Sequence, residues 1–368
     1  MRILNIVGAR PNLMKIAPLM RAYAAYPDIQ PLLVHTGQHY DDNMSQVFFA
    51  DLGLPQPDHY LGVGSGTHAE QTARVMLAFE PLVRELQPNL VLVVGDVNST
   101  LACALVCVKL GVKVGHVEAG LRSYDRTMPE EFNRLLTDQI ADLLFTPSRD
   151  ADVNLLREGI PPPRIHFVGN VMVDTLVHLL PKAEQLPIRA ELGLQPKGYV
   201  LVTLHRPSNV DDPNTLREIL LALADIAADI PVVFPVHPRT RRRMAESGLD
   251  NVPTLQRSNV QLLDPLGYLD FLALMCEAAV VLTDSGGIQE ETTYLGIPCL
   301  TARPNTERPV TISQGTNRLV ISERKALVEA IVATISGSGR RSAVGGRPEL
   351  WDGRAAERIV EVIRKRWA

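Results

Sequence analysis

Apolar runs of strand length, separated by stretches with helical spacing, recur from one end of the chain to the other. RILNIV, PLLVHT, NLVLVVGD (89–96), VKVGHVE, ADLLFTPS and RIHFVGN read as strands. Their apolar residues run on rather than alternate, as in strands of a parallel sheet covered on both faces. MKIAPLMRAYAAY, EQTARVMLAFEPLVREL, LACALVCVKLG and RDADVNLLREGI lie between them as helices. Asn98, Ser99 and Thr100 are expected to cap the third of these. The alternation predicts a doubly wound parallel sheet for residues 1 to about 170.

VMVDTLVHLLPKAEQLPIRAELGL has no strand pattern and closes in Pro- and Gly-punctuated sequence, so it reads as a linker. A second alternation follows, with strands GYVLVTLHR, PVVFPVH, NVQLLD, AVVLTDSGG and PCLTA. TLREILLALADIAA, TRRRMAESG, YLDFLALMCEA and IQEETTYLG are its helices, and the loop RPNTERPVTISQGTN completes it. GSGRRSAVGGRP (337–348) reads as a flexible loop, and the tail ELWDGRAAERIVEVIRKRWA as an amphipathic helix. The expected fold class is α/β, with two doubly wound, Rossmann-like domains.

Composition agrees with that picture. A chain of 368 residues is too long for one ordinary core. The 37 basic and 41 acidic residues give a net charge of −4, which argues against a nucleic-acid partner. No apolar run reaches the roughly 18–20 residues of a membrane span, so no membrane insertion is expected. The opening MRILNIVGARPN lacks a signal peptide's apolar region. Cys103 and Cys107 fall inside an apolar helix and read as core residues, which together with Cys276 and Cys299 suggests a cytoplasmic enzyme without disulfides.

Candidate chemistry gathers in residues 112–134, VKVGHVEAGLRSYDRTMPEEFNR. Asp96 and Glu118 end two successive strands, and open α/β sheets bind ligands beyond such ends. Glu130 and Arg134 stand i,i+4 on one helix; they read either as part of the site or as a solvated pair. Three carboxylates confined together push at least one pKa upward, which separates a proton donor from a base. The loop GLRSYDRTMP between them reads as a segment that moves. At the first strand–helix turn, Arg10 and Lys15 suit a phosphate at a helix amino end.

In the second domain, Ser285, Gly286 and Gly287 form a strand-to-helix junction that presents backbone N–H groups to an anion, and Glu291 suits a ribose diol. His205, beside Arg206 at a strand end, reads as a ligand contact or a packed side chain. GARPNL is not G-x-G-x-x-G, and the three glycines of residues 62–72 follow no apolar strand, so no dinucleotide fingerprint is present. Among the nine histidines only His35 and His39 stand at an H-x-x-x-H spacing and there is no H-E-x-x-H, so no metal site is expected.

GARPNLMKIAPL, HTGQHY, VVGDVNST, HVEAGLRSYDRTMPEEFNR, TLHR, LTDSGGIQEE and NTERP occur in this order across residues 8 to about 310. In this the chain resembles the non-hydrolysing UDP-N-acetylglucosamine 2-epimerases. The resemblance implies a glycosyltransferase-B type fold whose two domains face a central cleft that holds the UDP-sugar. It implies an N-terminal domain over residues 1–172, a UDP-binding domain over 173–351, and a final helix, 352–368, packed back on the first. It further implies a homodimer, no cofactor, and anti elimination of UDP to a 2-acetamidoglucal followed by readdition. By the same resemblance Asp96, Glu118, Glu130, Arg134 and His205 are catalytic. Arg10, Lys15, Phe271, Ser285, Gly286, Gly287, Glu291 and Arg308 then bind substrate, Phe271 near the uracil.

Several positions depart from the family's common pattern. Asn12 and Val310 stand where Glu is frequent, HRPS replaces HRRE, and Leu266 replaces a uracil-contacting Gln. Asp41 and Ser65 replace the Gln and Arg of members activated by a second UDP-N-acetylglucosamine. The competing readings are a hydrolysing 2-epimerase, a 2-epimerase of a modified UDP-hexosamine, a glycosyltransferase of this fold and, from another class, a nucleotide-sugar-binding regulator.

Overall fold

The computed structural model describes residues 1–38, 49, 51–249, 259–337 and 346–367. Asp41, His39 and Tyr40 of the HTGQHY motif, and residues 338–345 of the expected flexible loop, lie outside them. The chain forms two compact units, Met1–His178 with Glu349–Ala368, and Leu179–Pro348.

The first unit is built on a seven-stranded sheet of order β3-β2-β1-β4-β5-β6-β7. Its strands are β1 (Arg2–Val7), β2 (Gln30–His35), β3 (His59–Tyr60), β4 (Leu90–Val94), β5 (Lys113–Val117), β6 (Leu143–Thr146) and β7 (Ile165–Phe167). Every pairing is parallel. Helices α1 (Arg10–Tyr23), α2 (His68–Leu86), α3 (Asn98–Lys109), α4 (Pro129–Ile140), α5 (Arg149–Arg157) and α6 (Val171–Ala183) connect and cover them. All five residues of β4 are buried, which is why LVLVV carries no polar position. Leu4, Ile6, Phe79, Val91, Val93, Cys103 and Cys107 share one core. Burial pushes the Cys107 thiol up to about 12.

The second unit holds a six-stranded parallel sheet of order β10-β9-β8-β11-β12-β13. Its strands are β8 (Val200–Thr203), β9 (Val232–Pro235), β10 (Val260–Leu263), β11 (Val280–Thr283), β12 (Cys299–Ala302) and β13 (Asn317–Val320). Among its helices are α7 (Pro213–Ile226), α8 (Pro238–Glu246), α9 (Tyr268–Cys276), α10 (Gly286–Leu295) and α11 (Arg324–Ile335). The final helix, α12 (Ala355–Trp367), belongs to the first unit.

Three local expectations need correction. The alternation does not stop at Asn317, because NRLV adds β13 and RKALVEAIVATI adds α11. Four residues that include Arg318 make too short a run to stand out, although Leu327, Ala330, Ile331 and Thr334 do mark a buried helix face. Asn98, Ser99 and Thr100 are not caps. Val97 holds the cap position of α3, and the three polar side chains turn inward to Gln71, Gln38 and the Val94 carbonyl. The linker reading also gives way in part, because VMVDTLVHLLPKA is the 13-residue helix α6, and the division between the units falls within it.

Asp174 of α6 ties α12 to the first unit by accepting the Ala355 and Ala356 N–H groups at 3.0 and 2.7 Å. It thus satisfies two of the unpaired donors of a helix start. Trp351 adds a bond from its indole N–H to the Pro147 carbonyl at 2.9 Å. Replacing Asp174 with Ala is expected to cost about 1–2 kcal/mol, read as a lower urea midpoint. An unchanged midpoint would show that the apolar face of α12 holds it unaided.

Candidate active site

In the first unit the expected residues collect at the carboxyl ends of β1, β4 and β5. Val94 pairs with Val117, so the next residues, Gly95-Asp96 and Glu118, leave neighbouring strands at the same level. Glu118 has φ +71, a costly backbone for a residue with a Cβ. β6 holds it there, since Phe145 O accepts the Glu118 and Ala119 N–H groups at 3.1 and 3.0 Å. The Glu118 carboxylate forms a buried ion pair with Lys15 Nζ from the second turn of α1. Gly95 is needed beside them. Its φ is +65, and an added Cβ would lie 2.8 Å from Lys15 Nζ.

Lys15 therefore serves a carboxylate. Arg10, at the start of α1, keeps part of its side chain in solvent and lies in the field of Asp51; the partial desolvation of its guanidinium lowers its pKa more than that charge raises it. Asn12 locks the turn between the two cations. Its Oδ1 accepts the Gly8 and Ala9 N–H groups at 3.0 Å each, and its Nδ2 donates to Val94 O at 3.2 Å. An ionised Glu could not make that donation.

Asp96 receives Arg134 Nη1, and Arg134 also binds Glu131 Oε2 at 2.6 Å. Glu131, rather than Glu130, is thus the close i,i+3 partner that sequence reasoning passed over. The same carboxylate accepts the Ser123 and Tyr124 N–H groups at 3.1 and 2.9 Å. Burial pushes the Glu131 pKa up, but the bonds from Arg134 and Ser123 outweigh it and hold the group below its ordinary range. The expected moving loop, residues 120–129, is in this structure stapled down, with Arg122 further bound to Asp138 and Glu158. Glu130, half-buried, lines a cavity of about 200 Å³ together with Asp96, Gln38, His68, Asn98 and Asn133. Ser65 lies on its wall.

In the second unit β8 and β11 are also register neighbours, Thr203 beside Thr283. The fully buried Asp284 that follows β11 organises both strand ends. It accepts the His205 N–H at 3.0 Å, the Arg206 N–H at 2.9 Å and Asn209 Nδ2 at 2.9 Å. His205 Nδ1 lies 3.0 Å from its Oδ1, which orients the imidazole. Burial pushes the Asp284 carboxyl up, yet these contacts win and keep it below the usual carboxylate range. Sequence reasoning named Ser285 to Gly287 and passed over Asp284, whose position between strand and helix was the available signal.

Ser285 caps α10 and Gly286 opens it. A Cβ on Gly286 would come 2.4 Å from Arg308 Nη1, so glycine lets the guanidinium sit at the helix start. Arg308 is held by Glu290 at 2.9 Å and by Glu307, and Arg303 also reaches Glu307 at 2.9 Å. Burial would raise the Glu307 pKa, but Arg308, Arg303 and Arg206 drive it far down. Arg303, Arg308 and Arg206, balanced by Glu307 and Glu290, thus gather guanidinium donors beside the amino end of α10, a setting for a diphosphate.

Glu291, one turn further on, is buried and accepts Tyr268 Oη at 2.8 Å on Oε1. Its Oε2 has no hydrogen-bond partner among the described residues. Burial, with a smaller push from Glu290, raises its pKa to about 7. Phe271, half-buried, stands i,i+3 from Tyr268 on α9. No group of three metal-ligating side chains occurs among the described residues.

A profile of the family described as UDP-N-acetylglucosamine 2-epimerase matches residues 21–364. The chain belongs to the UDP-N-acetylglucosamine 2-epimerase family. The family member of Methanocaldococcus jannaschii named UDP-N-acetylglucosamine 2-epimerase is 41% identical over 369 residues, covering 99% of each chain. A crystal structure of the Methanocaldococcus jannaschii UDP-GlcNAc 2-epimerase with UDP-GlcNAc and UDP matches with a TM-score of 0.89, over 99% of this chain and 100% of that one. A Pseudomonas aeruginosa relative named UDP-2,3-diacetamido-2,3-dideoxy-D-glucuronate 2-epimerase is also 41% identical, over 99% of this chain and 100% of its own. The protein is thus an isomerase of this family, with two Rossmann-like units of the glycosyltransferase-B type.

Two outcomes follow from the charges. Lys15→Ala leaves Glu118 buried without its cation and is expected to cost about 3–5 kcal/mol. Adding Glu118→Gln should return much of that, and denaturation midpoints that simply add would deny the coupling. For Glu291 the raised folded-state pKa means stability is full below the ordinary value of 4.5 and is lost as pH climbs through about 7. The melting temperature of Glu291→Gln should therefore gain on the parent between those pH values, and a constant gap would contradict it.

Proposed function

We propose that the protein interconverts a UDP-N-acetylhexosamine and its carbon-2 epimer, with UDP-N-acetylglucosamine and UDP-N-acetylmannosamine as the pair. The observation that carries this is the two carboxylates at adjacent strand ends, each held by a cation: Asp96 by Arg134 and Glu118 by Lys15. A carboxylate removes the proton at carbon 2, its electron pair forms the carbon 1–carbon 2 double bond, and the bond from carbon 1 to the diphosphate oxygen breaks. UDP leaves with that bonding pair, giving the 2-acetamidoglucal. A second carboxyl group returns a proton to the opposite face of carbon 2, and UDP adds back at carbon 1. Glu130, Asp96 and Glu118 supply the acid and base between them.

The arginine-flanked start of α10, with Ser285, Gly286, Gly287 and Arg308, binds the diphosphate and stabilises the charge that develops on it. His205, set by Asp284, adds a hydrogen-bond donor to the leaving group. Glu291 takes the ribose hydroxyls on its unused Oε2, and Phe271 lies against the uracil. Arg10 adds charge for the substrate's phosphates. The chemistry needs no cofactor, because elimination itself activates carbon 2. The reading includes a homodimer working in the cytoplasm. No helix among the described residues is long and apolar enough to cross a membrane, and all four cysteines are free.

A second reading, a UDP-hexosamine with altered substituents, is favoured by the Pseudomonas aeruginosa relative, which by its name acts on a diacetamido glucuronate. Proton NMR of the enzyme with UDP-N-acetylglucosamine in deuterium oxide separates the readings. UDP-N-acetylmannosamine carrying deuterium at carbon 2 is the expected product, and Glu118→Gln should slow its formation about 10²–10⁴-fold. Release of free sugar would replace the proposal by a hydrolysing epimerase. An inert substrate alongside turnover of the diacetamido uronate would select the second reading.

A further inference from the structure

The first unit contains a polar cluster that the proposed reaction does not use. His116, within β5, is fully buried. Its Nδ1 lies 2.6 Å from Asp138 Oδ1, and its Nε2 lies 2.8 Å from the carbonyl oxygen of Gly95. A backbone carbonyl only accepts, so Nε2 carries a hydrogen. Asp138, from α4, also takes the Gly120 N–H at 3.1 Å and the Arg122 guanidinium at 2.7 Å, both on Oδ2. A carboxyl group between a guanidinium and a backbone N–H is held ionised, so Oδ1 accepts from Nδ1 as well. Burial pushes the Asp138 carboxyl up, and the His116 and Arg122 contacts outweigh it and keep it below the ordinary range. Both ring nitrogens therefore donate. Arg122 also meets Glu158, the residue that follows α5, at 2.6 Å.

We infer that His116 is a positioning residue, whose two ring nitrogens fasten the turn bearing Asp96 to the strand that leads into Glu118. β5 grips Gly95 from both sides: the Gly95 N–H donates to Val117 O at 3.1 Å, and its carbonyl accepts from His116. Asn133 holds the Asp96 carbonyl at 2.9 Å, which steadies the next peptide. Proton transfer at one carbon needs the two carboxyl groups set relative to each other, and a misplacement of about 1 Å costs on the order of 10²-fold. The purpose of the clamp rests on the function proposed above; the protonation of the ring and the grip on Gly95 do not.

The test uses the full chain labelled with nitrogen-15 and read by NMR, which counts the hydrogens on the two ring nitrogens. The resonance of His116, assigned by its loss in His116→Gln, is expected to show two slowly exchanging ring N–H groups. Asp138→Asn removes the anionic acceptor and should leave one ring hydrogen. It should also speed exchange of the Gly95 amide by about tenfold or more, as local opening becomes easier. In that variant kcat should fall about 10- to 100-fold, with KM and UDP affinity within about twofold. His116→Gln, whose amide can still donate to Gly95, should keep more activity than His116→Leu.

A neutral ring in the parent protein overturns the proposal, whether or not any variant folds. Unchanged Gly95 exchange, or an Asp138→Asn enzyme that loses affinity while kcat stands, also overturns it. If the parent turns over no UDP-sugar, the functional reading fails, and the ring and amide spectra still decide the clamp.

Discussion

An ionised carboxylate taken out of water costs several kcal/mol unless a cation and hydrogen bonds take up its charge. That requirement shapes both strand-end clusters of this protein. In the first unit Glu118 is matched by Lys15, Asp96 and Glu131 by Arg134, and Asp138 by His116 and Arg122. In the second, Asp284 is matched by His205 and backbone N–H groups, and Glu307 by Arg303 and Arg308. Each pairing fixes a backbone position, so the electrostatics and the loop geometry are one problem. The loop after Glu118 is ordered by Glu131, and Glu131 in turn is kept ionised by the arginine that meets Asp96.

The same constraint explains what the sequence made legible. An uninterrupted apolar run marked β4 and a buried stretch, VGHV, marked β5, and the acidic residue after each, Asp96 and Glu118, had to sit at a strand end. The junction from Ser285 to Gly287 was readable because glycine tolerates close approach, here by Arg308. Partners were harder. Glu130 and Glu131 both stand one turn before Arg134, and spacing alone does not choose between them. His116 looked like one more residue of a buried strand, since nothing in HVE reveals that α4 brings Asp138 to it. The pairing of Lys15 with Glu118 was hidden because the two stand 103 residues apart in sequence.

Family departures are informative where the structure gives them a contact. Asn12 donates to Val94 O while accepting two N–H groups, so the neutral amide is matched to a turn whose charge balance is already closed by Lys15 and Glu118. Ser65 lines the cavity beside Asp96, where a larger basic residue would alter both its size and its charge. HRPS places Pro207 at the start of a short helix that returns Asn209 to Asp284.

The return of residues 349–367 to the first unit has a consequence for biosynthesis. Residues 1–178 leave the ribosome first, yet their unit is completed by a helix made about 170 residues later. At roughly 5–20 residues per second that delay is on the order of ten to thirty seconds. During it the groove beside Asp174 has no α12 to cap, while residues 179–348 are contiguous and can close their own core. The unit whose first residues are made earlier is therefore the later to finish, and until α12 arrives its apolar face toward that helix stays open to water.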